Sequence, residues 1–277
     1  MSGIRMRRKS VKNIIIGVAV SLVVVSCSTV AFTGRRRLLM YPDSQITSLS
    51  DQSYASMMSS MKLSTNYAQA AMITQVGQRL TAALNTYLAS VGETSILQGL
   101  KWEYNLVQSK EVNAFCMPNG KIVFYEGIMP YCTTADYIAV VMGHEIAHAV
   151  ARHGNERMSQ QAVLNTAGTL ASAVIGVKTN EQTQALFDLA FNMGGEYGVL
   201  LPFSRKHELE ADEIGLIIMA IAGYDVDKAP LFWQKMSAGG TAAVPEVMST
   251  HPSDQTRINH ITKCIPKAKE FAAKLKK

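Results

Sequence analysis

The sequence lacks features that would place it in several common classes of protein. It holds only four cysteines in 277 residues, none with the spacing of metal ligands, so a cysteine-based zinc site is excluded. Three of them, Cys116, Cys132 and Cys264, can form at most one disulfide, and the sequence does not decide the pair. The chain past residue 26 also lacks an excess of positive charge. Five of the 27 basic residues come earlier, so 22 basic residues remain against 21 acidic ones. We therefore expect no nucleic-acid partner, since such binding needs a basic surface on the folded domain.

The N-terminal apolar segment is too short for a membrane-spanning helix. Residues 14–25 are twelve apolar or small residues after a basic stretch, against the roughly 20 that a span needs. This order is typical of a secretory signal peptide, predicted here as residues 1–26. Val24-Val25-Ser26-Cys27-Ser28 resembles the lipobox of bacterial lipoproteins, and Ser28 after the cysteine resembles the outer-membrane sorting pattern. The sequence therefore predicts lipidation of Cys27, membrane attachment through that lipid and a periplasmic location at the bacterial outer membrane, with an ordinary cleaved signal or an uncleaved anchor as the alternative.

The rest of the chain divides into a polar stretch and one domain. Residues 27–50 show no sustained hydrophobic period and are expected to form a tether. Within it, Arg35, Arg36 and Arg37 are interpreted as a solvated charge run, with contact to anionic head groups as the alternative. Residues 51–277 are long enough to form one catalytic domain with a substantial core.

An apolar helix is predicted over residues 135–152, ended by a signal that includes Gly154, and it contains the pattern His-Glu-x-x-His. His144 and His148 are four residues apart, so they share a helix face and both imidazoles can reach one metal ion. Glu145 lies roughly 100° around the helix from His144, within reach of a water on that metal but not among its ligands. The pattern predicts a zinc site with Glu145 as general base; two core histidines without metal are the alternative.

A small, largely antiparallel sheet is predicted just before this helix. Residues 102–107, 111–116 and 121–125 have the alternation or the β-branched and aromatic content of strands, and Pro118-Asn119-Gly120 predicts a turn. An edge of such a sheet can bind an extended peptide through main-chain hydrogen bonds. The candidate substrate-binding residues are Asn113, Ala114 and Phe115, with 122–124 as the other candidate edge. An ordinary hairpin packed on the helix is the alternative.

A catalytic metal site needs a third protein ligand, and a helix predicted over residues 204–220 offers one. Glu208 and Asp212 are one turn apart on the same face. Glu208 can give a carboxylate oxygen to zinc, and Asp212 can accept the second ring N–H of a ligand histidine. Glu210 lies about 200° from Glu208 around the helix and should point elsewhere. A solvated acidic first turn is the expected environment of Glu210 and Glu213.

The last predicted helix begins near residue 252. His251, just before it, could face the metal, and Arg257 could pair with an acid near the site. A surface position is the alternative for His251.

Taken together, these segments resemble the zinc peptidases of metallopeptidase family 48, the family of HtpX and the CAAX prenyl proteases, and within it the periplasmic lipoproteins without transmembrane helices. Four motifs within about residues 100–260 carry the resemblance: Asn113-Ala-Phe with Pro118-x-Gly120 and Gly127; His144-Glu-x-x-His148 with His153-Gly154; Ser204-Arg-x-x-Glu208-x-x-Ala-Asp212; and His251-Pro with Arg257-Ile258. The resemblance implies an α+β fold, a mostly helical zincin domain of the gluzincin type, with one zinc ion per chain.

The resemblance also implies roles for these residues. His144, His148 and Glu208 would be the zinc ligands and Glu145 the catalytic acid/base, while His251 and Arg257 match a late motif near the active site. Apart from the resemblance, we expect His251 or a nearby hydroxyl to share the developing oxyanion charge. A second hypothesis is that His251 closes the open metal position. The expected function is a zinc endopeptidase that hydrolyses unfolded or misassembled proteins of the bacterial cell envelope. A zinc-stabilised chaperone or binding module without turnover is the alternative.

Overall fold

The computed structural model describes residues 27–168, 181, 183–185, 187, 205–238 and 255–275. These residues are mostly helical, and the strands are short. The strands are β1 (Cys27–Thr29), β2 (Arg36–Leu38), β3 (Glu103–Val107), β4 (Ala114–Cys116) and β5 (Lys121–Tyr125). The helices are α1 (Asp43–Ser60), α2 (Tyr67–Ser90), α3 (Ala135–Val150), α4 (His153–Gly168), α5 (Arg205–Ile221), α6 (Lys228–Ala238) and α7 (Gln255–Leu275). The predicted mostly helical α+β class is confirmed.

The sheet beside the helix with the His-Glu-x-x-His pattern has three strands in the order β3-β5-β4. β4 and β5 form an antiparallel hairpin whose turn holds Gly120 at φ +86°, a conformation that glycine adopts without strain. β3 pairs with β5 in parallel, so this sheet is mixed where the sequence predicted a largely antiparallel one. The reason is the chain path, which goes from β3 to the far edge and returns through the middle. Residues 122–124 therefore lie in the central strand, and β4 is an edge.

Helix α3 lies at the centre of the core. Every residue from Ile138 to His148 is buried, and the helix packs against α2, α5, α6 and β4. A helix that is apolar around its circumference is buried on all sides. The polar side chains that α3 carries are consequently held in the protein interior.

The end of α3 differs from the prediction. The helix stops at Val150, and Arg152 rather than Gly154 takes the left-handed conformation, with φ +55°. α4 starts at once with His153, so Gly154 lies inside a helix. The direct turn between the two helices places His153 against His148, with 2.9 Å between their Nδ1 atoms.

Residues 27–50, expected to be a tether, form regular structure instead. β1 and β2 pair as an antiparallel hairpin, and α1 begins at Asp43. Val30 and Phe32 between the strands are buried in the main core, where the Phe32 ring stacks on Tyr87 of α2 at 4.6 Å. The expectation of an irregular tether is wrong for this segment, because two isolated apolar residues among polar ones produce no detectable period. Cys27 begins β1; its lipidation stays a prediction, and residues 1–26 lie outside the described part of the chain.

The arginine triplet is not a solvated charge run. Arg35 forms ion pairs with Glu156 and Glu210. Arg37 is 4% exposed and donates to the Ala151 carbonyl oxygen at the end of α3. Arg36 alone of the three is exposed. Alternate positions of a strand face opposite sides, so only the middle arginine faces water.

No helix in the described ranges combines the length and the apolar character that crossing a bilayer requires. Cys116, Cys132 and Cys264 are free thiols, so the disulfide that the sequence allowed is not formed among them.

Candidate metal centre

Three buried side chains from two helices meet at one point. His144 and His148 come from α3 and Glu208 from α5. The Nε2 atoms of His144 and His148 are 3.0 Å apart. Glu208 Oε2 lies 3.3 Å from His144 Nε2, and Glu208 Oε1 lies 3.4 Å from His148 Nε2. The structure thus brings together the three predicted ligands.

This arrangement fits a tetrahedral metal ion. Zinc binds imidazole nitrogen and carboxylate oxygen at about 2.0–2.2 Å, so two ligand atoms of a zinc tetrahedron lie about 3.3 Å apart. The two imidazole nitrogens are 3.0 Å apart, and each lies 3.3 or 3.4 Å from a Glu208 oxygen, Oε2 for His144 and Oε1 for His148. Two imidazoles and one carboxylate are also a donor set that catalytic zinc uses, with the fourth position left to water or substrate. The residues present therefore fit the zinc ion that the sequence predicted.

Asp212 orients the ring of His144. Its Oδ1 lies 2.9 Å from His144 Nδ1, and an ionised carboxylate only accepts, so Nδ1 carries a hydrogen and Nε2 is the ring atom that faces His148 and Glu208. Burial and the charge of Arg257 lower the pKa of His144, but its bonds to Asp212 and Glu208 outweigh them and raise it to about 9. The carboxylates of Asp212 and Glu208 thus favour a positive charge at the His144 ring.

Arg257 connects two parts of the site. Its Nε and Nη2 atoms donate to the two Asp212 oxygens at 2.6 and 2.8 Å, and its Nη1 lies 3.1 Å from Glu208 Oε2. The guanidinium also lies 4.0 Å above the ring of Trp233. Burial lowers the pKa of Arg257, but the carboxylates of Asp212, Glu208 and Glu145 outweigh it and raise that pKa. Arg257 therefore holds both the candidate ligand Glu208 and Asp212, the carboxylate that contacts the candidate ligand His144.

Glu145 lies next to the candidate ligand His144 in the chain and is not one of the three residues grouped here. It is 3% exposed, next to His144 on α3. A cleft that adjoins the site is lined by His148 and Arg152 from the α3 end, Cys116 and Pro118 from the hairpin, and the apolar Ile46 and Leu100. Of the three candidate ligands, His148 lines this cleft, and Glu145 lies three residues before it on the same helix.

The predicted substrate-binding residues lie on and next to the edge strand β4, which packs against α3. The Tyr125 amide donates to the Asn113 carbonyl oxygen at 3.1 Å, and the Met117 amide donates to that of Lys121 at 2.8 Å. Ladder bonds alternate along an antiparallel strand, so the main-chain groups of Ala114 and Cys116 face outward. The Ala114 amide is already bonded to Asn113 Oδ1, at 2.9 Å.

Phe115 packs edge-on against the Tyr125 ring, with centroids 6.1 Å apart. His251, the remaining predicted residue, lies outside the described part of the chain.

Two further residues belong to this centre, His153, for which no role was predicted, and Glu210, which was predicted to point away from it. His153 Nε2 lies 2.9 Å from Glu210 Oε2, and Glu210, expected in a solvated turn, is 6% exposed. Burial raises the pKa of Glu210, but hydrogen bonds from His153, Arg35 and Thr33 lower it to about 2. Burial lowers the pKa of His153 to about 4 even though Glu210 opposes this, so its ring is neutral near pH 7. The signal was present as a histidine directly after the zinc helix, but helix geometry alone placed neither residue.

A second group of possible ligands, Glu213, His260 and Cys264, lies where α5 packs on α7. Each already has a protein partner. Lys267 binds Glu213 at 2.5 Å, His260 Nε2 is 3.2 Å from the Leu209 carbonyl oxygen, and Cys264 Sγ is 3.4 Å from His260 Nε2. We interpret this group as ordinary packing between two helices.

The sequence model of Peptidase family M48 matches residues 67–265. The chain belongs to peptidase family M48. The match covers most of the chain, so the family predicted from the four motifs is confirmed. The matched range includes the three candidate ligands, Glu145, Asp212 and Arg257, and it starts with α2, after the β1–β2 hairpin and α1.

Individual relatives agree with the family. The chain is 35% identical over 190 residues to the mitochondrial metalloendopeptidase OMA1 of Schizosaccharomyces pombe. The aligned residues cover 68% of this chain and 54% of that protein. Human OMA1 is 30% identical over 244 residues, 85% of this chain and 45% of that protein. The beta-barrel assembly-enhancing protease of Escherichia coli K12 is 28% identical over 162 residues, 57% of this chain and 33% of that protein. The chain thus spans about half the length of these relatives, or less.

The comparisons contradict the predicted location. The OMA1 relatives, from yeasts, a plant and vertebrates, are all named as mitochondrial. The prediction of a periplasmic protein anchored to a bacterial outer membrane is therefore wrong. A basic leader without acidic residues is common to more than one kind of targeting segment, so its composition did not decide the compartment.

Proposed function

We propose that the chain is a zinc-dependent endopeptidase that cleaves polypeptides in extended conformation. The observation that carries the proposal is the meeting of His144, His148 and Glu208, whose nitrogen and oxygen atoms lie 3.0–3.4 Å apart, with the buried Glu145 next to His144 in the chain. The names of the relatives, metalloendopeptidases and a protease, support the same reaction class.

Glu145 has the chemistry of a general base and acid. When bound, zinc would supply Lewis acidity toward the peptide carbonyl and the attacking water. Glu145 would take a proton from that water and pass it to the leaving amine, a transfer that typically contributes about 10²–10⁴-fold to the rate. Its burial removes competing solvent, and Arg257 keeps Glu208 and Asp212 in place while the charge shifts.

The edge strand β4 supports an extended substrate. The Ala114 carbonyl and the main-chain groups of Cys116, which point away from β5, can pair with a peptide laid along β4. The cleft lined by Cys116, Pro118 and His148 connects that strand with one of the three proposed ligands. An extended peptide is available only in unfolded or locally unfolded proteins, so these are the substrates we propose. Asn113 would act indirectly, because it bonds the Ala114 amide and the Tyr125 amide.

The test compares zinc content and casein cleavage in the parent, in Glu145→Gln and in His148→Ala. Glu93→Gln, which changes an exposed glutamate, serves as the control. We expect Glu145→Gln to keep one zinc per chain and to lose about 10²-fold or more of the cleavage rate. We expect His148→Ala to lose both zinc and cleavage, and the control to match the parent.

Two results would contradict the proposal. In the first, Glu145→Gln digests casein as fast as the parent and a chelator stops both. In the second, the zinc-loaded parent holds unfolded casein without cutting it, which is the behaviour of a zinc-stabilised binding module.

A further inference from the structure

The β1–β2 hairpin, which precedes the range matched by the family, reaches the metal centre. Arg35 donates from Nε to Glu210 Oε2 at 2.7 Å. Its Nη1 and Nη2 atoms donate to the two Glu156 oxygens at 2.8 and 2.7 Å. The Thr33 hydroxyl donates to the other Glu210 oxygen. Arg35 thus holds together one acid from α4 and one from α5, and both acids are buried.

A chain of hydrogen bonds continues from Glu210 to the ligand His148. Glu210 only accepts, so the hydrogen in its 2.9 Å contact with His153 belongs to His153 Nε2. A neutral imidazole with its hydrogen on Nε2 accepts at Nδ1. His148 Nδ1, 2.9 Å away, must then carry the donated hydrogen, which leaves the His148 Nε2 lone pair free for the metal. The sequence of donors therefore selects the tautomer that can bind.

We infer that Arg35 is a positioning residue, which acts through Glu210 and His153 to hold His148 in its metal-binding tautomer. The inference rests on the proposed metal site and extends it to a segment outside the matched family range. Asp212, which orients His144, lies within the matched range of residues 67–265. Arg35, which we infer orients His148, precedes that range. Loss of Arg35 leaves the Glu156 and Glu210 carboxylates without their shared cation, and Glu210 then keeps its contact with His153 with support from the Thr33 hydroxyl alone among the hairpin contacts described above.

The alternative is that the hairpin only stabilises the fold, since Val30 and Phe32 are in the core and Arg37 binds the end of α3. Zinc affinity distinguishes the two, because a purely structural role would not change it in protein that stays folded. Arg36→Gln is the matched control, since Arg36 is the adjacent, exposed arginine.

The first experiment measures the zinc dissociation constant by competition with a chromophoric chelator, well below the unfolding temperature of each variant. We expect about 10-fold weaker binding in Arg35→Gln, the lower end of the effect of partners behind metal ligands, and no change in Arg36→Gln. Should Arg35→Gln fail to fold, Thr33→Val decides, with an expected loss of about threefold for one hydrogen bond. The inference is overturned if Arg35→Gln binds zinc as tightly as Arg36→Gln. If Arg35→Gln does not fold, it is overturned if Thr33→Val binds zinc as tightly as Arg36→Gln.

The second experiment reads the tautomer by ¹⁵N NMR of the imidazole rings in the metal-free protein. We expect His148 of the parent to carry its hydrogen on Nδ1 and Arg35→Gln to show a mixture of tautomers. A parent with the hydrogen on Nε2 would overturn the inference whether or not the protein cleaves peptides. A parent that binds zinc in the predicted tautomer but cleaves nothing would refute the proposed activity alone.

Discussion

Gly143 of α3 and Gly215 of α5 pack backbone against backbone. A Cβ added to Gly215 would lie 2.9 Å from the Gly143 carbonyl carbon and 2.9 Å from the His144 amide nitrogen. One added to Gly143 would lie 3.1 Å from the Gly215 carbonyl oxygen. Two helices without side chains at their crossing can approach this closely. The crossing is adjacent to His144, so it sets the distance from which Glu208 reaches the two histidines.

Gly215→Ala should therefore damage the protein more than Gly143→Ala. Both changes favour helix formation by about 0.8–1 kcal/mol, but only the Cβ of Gly215 would come closer than 3.0 Å to another atom, and that atom is backbone. We expect a net loss of about 1–3 kcal/mol in Gly215→Ala from overpacking, together with weaker zinc binding. Denaturant unfolding and zinc titration measure the two effects. A Gly215→Ala protein as stable as the parent would contradict this close contact.

Asp212→Asn should weaken zinc binding by about 10–100-fold, the usual effect of removing the carboxylate behind a ligand histidine. The amide is neutral and pairs poorly with Arg257, which now donates to both Asp212 oxygens. Asp227→Asn is the control, because Asp227 forms an exposed ion pair with Lys269. Isothermal titration with zinc measures the affinities; equal values in the two variants would refute the role of Asp212.

Zinc should raise the unfolding temperature of the parent. An ion that binds only the folded state stabilises it by about 2.7 kcal/mol at 100 times its dissociation constant. In Glu208→Gln we expect this zinc-dependent gain to be greatly reduced, while Glu213→Gln, five residues later on α5, should keep it. Thermal unfolding with and without a chelator measures the gain. The same chelator effect in both variants would show that Glu208 is not a ligand.

The contact between α1 and the sheet should give the protein an acid-sensitive component of stability. Burial raises the pKa of Glu103, but hydrogen bonds from Tyr54, Lys121 and Asn105 outweigh it and lower the pKa to about 2. A folded-state pKa below the unfolded value of 4.5 means that this contribution is complete above about pH 4.5 and is lost as the pH falls toward 2. We expect Glu103→Gln to be less stable than the parent at pH 6 and to show a smaller loss between pH 4.5 and 2.5. Glu93→Gln should keep the pH profile of the parent; parallel profiles for parent and Glu103→Gln would contradict this assignment.

The predicted ligands and the structure agree because their signal is local. Spacings of four residues within one helix put His144 with His148, and Glu208 with Asp212, on common faces whatever the rest of the fold does. Gly143 is by itself a weak helix former, and the reason for it appears only where Gly215 of another helix meets it. Glu210 was expected in water because helix geometry gives only its angle around the helix from Glu208. It does not reveal that His153 of another helix lies on that side.

By itself the sequence determined the chemistry available to this protein: which side chains share a helix face, which helix is apolar enough to be buried, and to which peptidase family the motifs belong. The tertiary structure alone decided which surfaces meet. It placed β5 between β3 and β4, turned a polar segment into a hairpin that buries Val30 and Phe32, and brought Arg35 within 2.7 Å of Glu210, 175 residues away in the chain. The physical reason is that helical and strand periods act over a few residues, whereas the partners of a buried charge are set by packing between distant segments.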